Sequence, residues 1–146
     1  MYLFRGHMTL EVIQNPEQDL LDFIAQQISQ YNWAHWQNVE RKPLAVSWRD
    51  EQGEVKAGAS GRTFGHWLLL DYLWVSDTLR GQGIGSQCLT AIEQAAKARG
   101  CTYVLLDTLD FQAQPFYERH GYETQWVQQQ YPLDGKKYFM SKQLHE

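Results

Sequence analysis

Arg80-Gly81-Gln82-Gly83-Ile84-Gly85-Ser86 places three glycines and an arginine between the apolar run Trp67–Val75 and the helix-like stretch Ser86–Arg99. A glycine-rich turn that leaves a strand and opens a helix exposes the first backbone N–H groups of that helix. It aims them, with the positive end of the helix dipole, at one point in space. A phosphate group suits that point. The absent Cβ atoms let a ligand approach the backbone, and Arg80 adds a fixed positive charge. The pattern therefore predicts a pyrophosphate site.

Three kinds of phosphate loop compete for this pattern. A Walker loop needs a lysine and a Ser/Thr after its last glycine, but Gly85 is followed by Ser86 and no lysine lies nearby. A dinucleotide fingerprint is approached by Gly81-x-Gly83-x-x-Ser86, with Asp107 about where a ribose-binding acid would stand. That reading needs two mononucleotide-binding halves, and 146 residues with one parallel crossover do not hold them. The third kind is R/Q-x-x-G-x-G/A, matched by Arg80-x-x-Gly83-x-Gly85.

The elements that must position this loop follow from pattern. Thr9–Ile13 alternates like a first strand, and Asn15-Pro16 offers a cap and a first-turn proline for a helix over Pro16–Gln30. Tyr31–Glu40 reads as a second short helix or an ordered loop. Leu44–Arg49 and Val55–Arg62, joined by Asp50-Glu51-Gln52-Gly53, predict a β-hairpin. His66–Val75 is the longest apolar run and predicts the central strand. After the glycine loop comes a helix stopped by Gly100, the strand Thr102–Asp107, and a short helix Pro115–His120 ended by Gly121. Gly121–Tyr131 and Lys137–Leu144, joined by Pro132-Leu133-Asp134-Gly135, predict a final hairpin.

With 43% apolar residues and 20 aromatics made of six Trp, eight Tyr and six Phe, the chain is expected to fold as one domain over 1–146. The net charge of −4 disfavours a nucleic-acid binder, whose affinity comes from Lys/Arg contacts to phosphates. No stretch approaches the roughly 18 apolar residues of a membrane span, so no membrane partner and a cytoplasmic location are expected. Cys88 and Cys101 read as buried free thiols, and none of the five histidines has metal-ligand spacing, so no metal is expected. Gly6-His7-Met8 reads as a cloning remnant or the mark of an upstream start, and the fold argument begins at Met8.

The loop does not match alone. Leu73-Trp74-Val75 leads into it, and Ala113-x-x-Phe116-Tyr117-x-x-x-Gly121-Tyr122 follows the next strand. In these motifs, and in element order from about Met8 to Leu144, the chain resembles the GNAT superfamily of acyl-CoA-dependent N-acyltransferases. The run Leu106-Asp107-Thr108-Leu109-Asp110-Phe111-Gln112-Ala113 is similar to that of small bacterial members. The resemblance implies an α+β, three-layer α/β/α fold around a mixed, mostly antiparallel sheet of six to seven strands, with a splayed central parallel pair.

It also implies acetyl-CoA as co-substrate. The donor would be held by Arg80, Gly81, Gln82, Gly83, Ile84, Gly85 and Ser86, by backbone groups of Leu73 and Val75, and by Asp110, Ala113 and Phe116. Asp110 departs from the pattern, because many relatives carry Asn there and an ionised Asp donates no hydrogen bond. In the implied reaction a deprotonated amine attacks the thioester directly.

Tyr117 is the expected general acid, since a phenol with pKa near 10 is protonated at neutral pH; its alternative is a core aromatic beside Phe116. Asp71 is the expected base, because a carboxylate inside an apolar strand is costly to bury and desolvation would raise its pKa. Its alternative is a structural pair with Arg62 or with a backbone donor, leaving water, Asp110 or His66 to take the proton. The acceptor wall is expected from Tyr31–Trp36, His66–Tyr72 and Tyr131–Tyr138, whose rings suit a flat or cationic amine.

The function expected is acetyl transfer to a small-molecule primary amine. A protein or peptide acetyltransferase and a non-catalytic acyl-CoA-binding module are the alternatives. The final hairpin leaves an edge through which a homodimer could form.

Overall fold

The computed structural model describes residues 8–37, 39–111 and 113–145, in two units that divide at Asn38. Residues 1–7, set aside above, lie outside the described residues, as does Gln112 within the run Leu106–Ala113.

In the first unit, helix α1 runs Gln18–His35. It starts two residues later than the helix expected over Pro16–Gln30, with Glu17 and not Asn15 at its N-cap, and runs on through the first half of Tyr31–Glu40, because no Gly or Pro interrupts the chain from Gln18 to His35. His35 Nδ1 lies 3.0 Å from the Tyr31 carbonyl and the two rings stack at 4.4 Å, closing the last turn. The strand expected at Thr9–Ile13 does not form; the segment is irregular. A five-residue alternation becomes a strand only where a neighbouring backbone completes its ladder, and none of the strand pairings includes it.

The second unit begins with the hairpin β1 (Arg41–Arg49) and β2 (Val55–Phe64). Asp50 builds its turn: Oδ1 accepts the N–H groups of Gln52 and Glu54, each at 2.9 Å, and Gly53 takes φ +81°. A second tight turn at Gly65 leads into β3 (Trp67–Val75). A single turn of 3-10 helix, Asp77–Leu79, precedes α2 (Ile84–Ala98). Then come β4 (Tyr103–Leu109), α3 (Gln114–Arg119), β5 (Glu123–Gln129) and β6 (Lys136–Gln143). The six strands form one sheet in the order β1-β2-β3-β4-β6-β5, antiparallel except for the β3/β4 pair. The fold class is α+β, as expected.

Helix α2 buries Ile84, Cys88, Leu89, Ile92, Glu93 and Ala96, a stripe at helical spacing. Opposing it are Leu68 and Leu70 of β3 and Val104 and Leu106 of β4, with Met140 of β6 in the same cluster. Full burial of Leu68, Leu89 and Ile92 contributes about 1.5–3 kcal/mol each. Arg99 fastens the end of α2 to the hairpin, its Nη1 donating to the Lys42 and Pro43 carbonyls and to Thr63 Oγ1 at 3.0–3.1 Å. Glu93 is buried only because it is paired: it accepts from Tyr122 Oη at 2.7 Å and from Lys142 Nζ at 3.1 and 3.2 Å. Both cysteines are buried free thiols, and burial pushes their pKa values up.

Two irregularities open the sheet. β3 and β4 pair over only three residues, Trp67–Leu69 against Tyr103–Leu105, and then diverge. In the β2/β3 ladder Ser60 faces Tyr72 while Gly61 faces Leu70, so Asp71 is the extra residue of a β-bulge. The bulge shifts the alternation: Leu68 and Leu70 face the core before it, Leu73 and Val75 lean on the core after it. Asp71 and Tyr72 are consequently both exposed.

Candidate functional site

The gap between the diverging strands is a pocket of about 310 Å3. Asp71, Tyr72 and Leu73 line it from β3, and Asp107, Thr108 and Leu109 from β4. Ala113 and Tyr117 come from the start of α3, and Tyr131 and Lys137 from the final hairpin. Beyond Leu69 the side of β3 facing β4 makes no ladder bonds to it, so its backbone groups are available to an extended ligand.

The glycine loop stands at the C-terminal end of β3. Gly81 and Gly83 have φ +79° and +78°, a conformation that L side chains rarely adopt, while a Cβ at either would meet nothing within 4 Å. Glycine is required there by backbone conformation, and the space beside it is open. Gly83 is the N-cap of α2 and, having no side chain, cannot cap the first-turn N–H groups, the kind of helix start that can receive an anion. Arg80 pairs with Asp77 at 3.1 Å on the surface, and its Nε approaches the Val75 carbonyl at 3.5 Å. These features fit the phosphate-binding role expected of Arg80–Ser86.

Gly85 ties the loop to the pocket. A Cβ there would stand 3.5 Å from Val75 Cγ2 and 3.7 Å from the Phe116 ring, which in turn packs edge-on to Tyr117 with centroids 5.2 Å apart. Ser86 Oγ lies 2.9 Å from His120 Nε2, at the end of α3.

Tyr117 is 7% exposed and edge-on to both Phe116 and Tyr122. Among the described residues no protein group bonds its hydroxyl, yet no buried side-chain oxygen lacks a partner, so the hydroxyl opens to the pocket. Burial, reinforced by the Asp107 carboxylate, raises its pKa to about 12. Tyr117 is thus a core aromatic and a protonated phenol at once.

Asp71 is not buried as expected: with Leu68 and Leu70 facing the core, strand alternation sets it on the opposite face, diagonal to Arg62, which pairs across from Leu69. Its side chain is 41% exposed and both carboxylate oxygens lie 2.6–2.7 Å from Arg62 Nη1. The pair with Arg62, one of the two alternatives named above, is formed, and Asp71 still lines the pocket.

Of the residues expected at the site, Asp71, Leu73, Ala113 and Tyr117 line the pocket, while Val75, Gly85 and Phe116 form the packed step from it to the loop. Asp110 points elsewhere: its Oδ2 accepts the Lys136 N–H at 3.1 Å. Tyr72, Tyr131 and Lys137 fall within the expected acceptor walls, whereas Tyr31–Trp36 belongs to the first unit. Sequence reading missed Asp107 as a pocket residue. The β4 alternation, with Val104, Leu106 and Thr108 buried, puts Asp107 on the opposite face and could have drawn attention to it.

Comparison with known proteins agrees with this geometry. Residues 9–122 match the acetyltransferase (GNAT) family. The chain is 36% identical over 110 residues to the blasticidin-S acetyltransferase of Streptomyces morookaense, covering 73% of this chain and 81% of that protein. It is 34% identical over 92 residues to the acetyltransferase Atu2258 of Agrobacterium fabrum, covering 63% and 67% respectively. A crystal structure of an acetyltransferase from Bacillus cereus superposes with a TM-score of 0.85 at 31% identity, over 92% of this chain and 98% of the other. Family match, relatives and the splayed parallel pair agree: this chain belongs to the GNAT family and is an acyl-CoA-dependent acetyltransferase.

Proposed function

We propose that the protein moves the acetyl group of acetyl-CoA onto a primary amine of a small molecule by direct attack. Tyr117 carries the reading: a phenol held protonated, pKa about 12, opens into the splayed pocket and is packed through Phe116 against the phosphate-binding loop. The co-substrate supplies an activated acyl carbon and a thiolate leaving group.

Arg80–Ser86 hold the pyrophosphate through backbone amides and the α2 dipole, with the Arg80 charge beside them. Leu73 and Val75 offer backbone groups along the open side of β3 to the pantetheine arm and the thioester oxygen, while Ala113 and Phe116 flank that arm. Asp71, oriented by Arg62, takes the proton of the incoming ammonium directly or through water. As the N–C bond forms and the C–S bond breaks, Tyr117 gives its proton to the departing sulfur.

A pocket of about 310 Å3 suits a small molecule more than a folded protein surface. The Asp71 carboxylate and the exposed Tyr72 ring favour a cationic acceptor, while Asp107 and the Tyr131 ring already face Lys137 Nζ. The relative that acts on blasticidin S supports the same class.

Thermal shift with acetyl-CoA, followed by thiol release with a panel of amines, tests the reading. The panel contains blasticidin S, an aminoglycoside, a polyamine, an aromatic amine and a lysine peptide. Stabilisation with turnover of a small amine is expected. Turnover of the peptide alone would make the protein a peptide acetyltransferase, and stabilisation without turnover would make it a binding module. Indifference to acetyl-CoA would refute the assignment of the loop.

A further inference from the structure

Asp110 follows β4 directly and stands where the family resemblance expects a donor contact. Its bonds run toward the final hairpin. The Asp110 N–H donates to the Lys136 carbonyl at 3.0 Å, and Asp110 Oδ2 accepts the Lys136 N–H at 3.1 Å. Together they extend the β4/β6 ladder one step beyond the Leu109–Lys137 pair. The turn is packed closely against the same carboxylate. A Cβ on Gly135 would stand 3.4 Å from Asp110 Oδ2 and 2.6 Å from the Tyr131 carbonyl oxygen, while the Tyr131 N–H donates to the Gly135 carbonyl at 2.8 Å. The residues flanking this turn, Tyr131 and Lys137, both line the pocket. Lys137 Nζ lies 4.2 Å from the centre of the Tyr131 ring and 4.0 Å from Asp107.

We propose that Asp110 is a positioning residue for the acceptor wall: its carboxylate fixes the Tyr131–Lys137 turn, and with it the Tyr131 ring and the Lys137 ammonium, against the pocket. The inference rests on the acceptor reading given above. An ionised carboxylate only accepts hydrogen bonds, so it suits the Lys136 amide and is unsuited to the carbonyl and phosphate oxygens of a donor. Its charge also makes the bond to the amide stronger than a neutral acceptor would. Freed from it, the turn would keep its covalent ends and lose the contact that sets how far Tyr131 and Lys137 reach over the pocket.

The test compares wild type with Asp110→Ala, Asp110→Asn and Gly135→Ala. It reads hydrogen exchange at the Lys136 amide, the Kd of acetyl-CoA by calorimetry, and the KM of the best amine from the panel. Asp110→Ala should speed Lys136 exchange about tenfold and raise the amine KM about fivefold, with the Kd of acetyl-CoA within about twofold of wild type. Asp110→Asn should restore the larger part of both values, because its carbonyl accepts the same amide in a weaker, neutral bond. Gly135→Ala, which displaces the turn while keeping the carboxylate, should also raise the amine KM. It serves as the independent probe if Asp110→Ala fails to fold. An acetyl-CoA Kd about tenfold weaker in Asp110→Ala, with Lys136 exchange unchanged, would make Asp110 a donor contact and overturn the proposal. An unchanged amine KM in both Asp110→Ala and Gly135→Ala would overturn it too. Wild type inactive toward every amine would instead refute the transfer reading on which the proposal rests.

Discussion

The Ser86 hydroxyl lies 2.9 Å from His120 Nε2, joining the first turn of α2 to the end of α3. Phe116 braces the same joint, with its ring 4.7 Å from that of His120 and against Gly85. The helix expected to bind the donor and the helix that carries Tyr117 are thus held in register by one polar bond and one aromatic contact. His120→Ala removes both. It should raise the KM of acetyl-CoA about threefold to tenfold and leave the amine KM unchanged. Steady-state kinetics with each substrate varied in turn decides this, and equal shifts in both would point to a general loosening of the fold.

Tyr117→Phe removes the proton and keeps the ring. A general acid contributes about 100-fold or more, so kcat should fall by that order while the Kd of acetyl-CoA stays within about twofold. Undiminished turnover would discharge Tyr117 from the role.

The raised pKa of Tyr117 also has a signature in stability. The phenol titrates near 10 when unfolded and near 12 when folded, so its contribution is fully present below pH 10. Between pH 10 and 12 the unfolded chain loses the proton while the folded chain keeps it, and stability falls. The fall should be shallower in Tyr117→Phe. Chemical denaturation across that range measures it; identical slopes would mean the phenol is not shielded.

Gly83 and Gly85 should respond oppositely to alanine. At Gly83 the cost is conformational, φ +78°, and about 1 kcal/mol of strain should come with weaker acetyl-CoA binding as the loop relaxes. At Gly85 the added methyl meets Val75 and Phe116 at ordinary contact distances, so Gly85→Ala should bind acetyl-CoA as wild type does. Thermal melts and calorimetry on the two variants separate the effects; equal losses in both would show that space, and not backbone conformation, governs the loop.

Much of this architecture was legible as pattern. Gly81 and Gly83 mark left-handed turns because only glycine takes that conformation without cost, and Gly53, Gly65, Gly100 and Gly121 punctuate the elements for the same reason. Apolar periodicity placed α2, β3 and β4 to within a few residues. Thr9–Ile13 was misread because alternation signals a strand only if another backbone supplies hydrogen bonds, and that partner cannot be seen locally.

The chain's residue order therefore settles what depends on near neighbours: the glycine-rich turn, the element sequence, and the adjacent Phe116-Tyr117 pair. Tertiary structure alone decided what depends on register between distant strands. The register of β2 on β3 set Asp71 on the face opposite Leu68 and Leu70 and within reach of Arg62. The splay of β3 from β4 set Asp107 beside Tyr117, and the β4/β6 ladder brought Asp110 to Lys136. The reason is electrostatic reach: a carboxylate acts on whatever charge or amide lies within a few ångströms, and which group that is depends on packing between segments far apart in the chain.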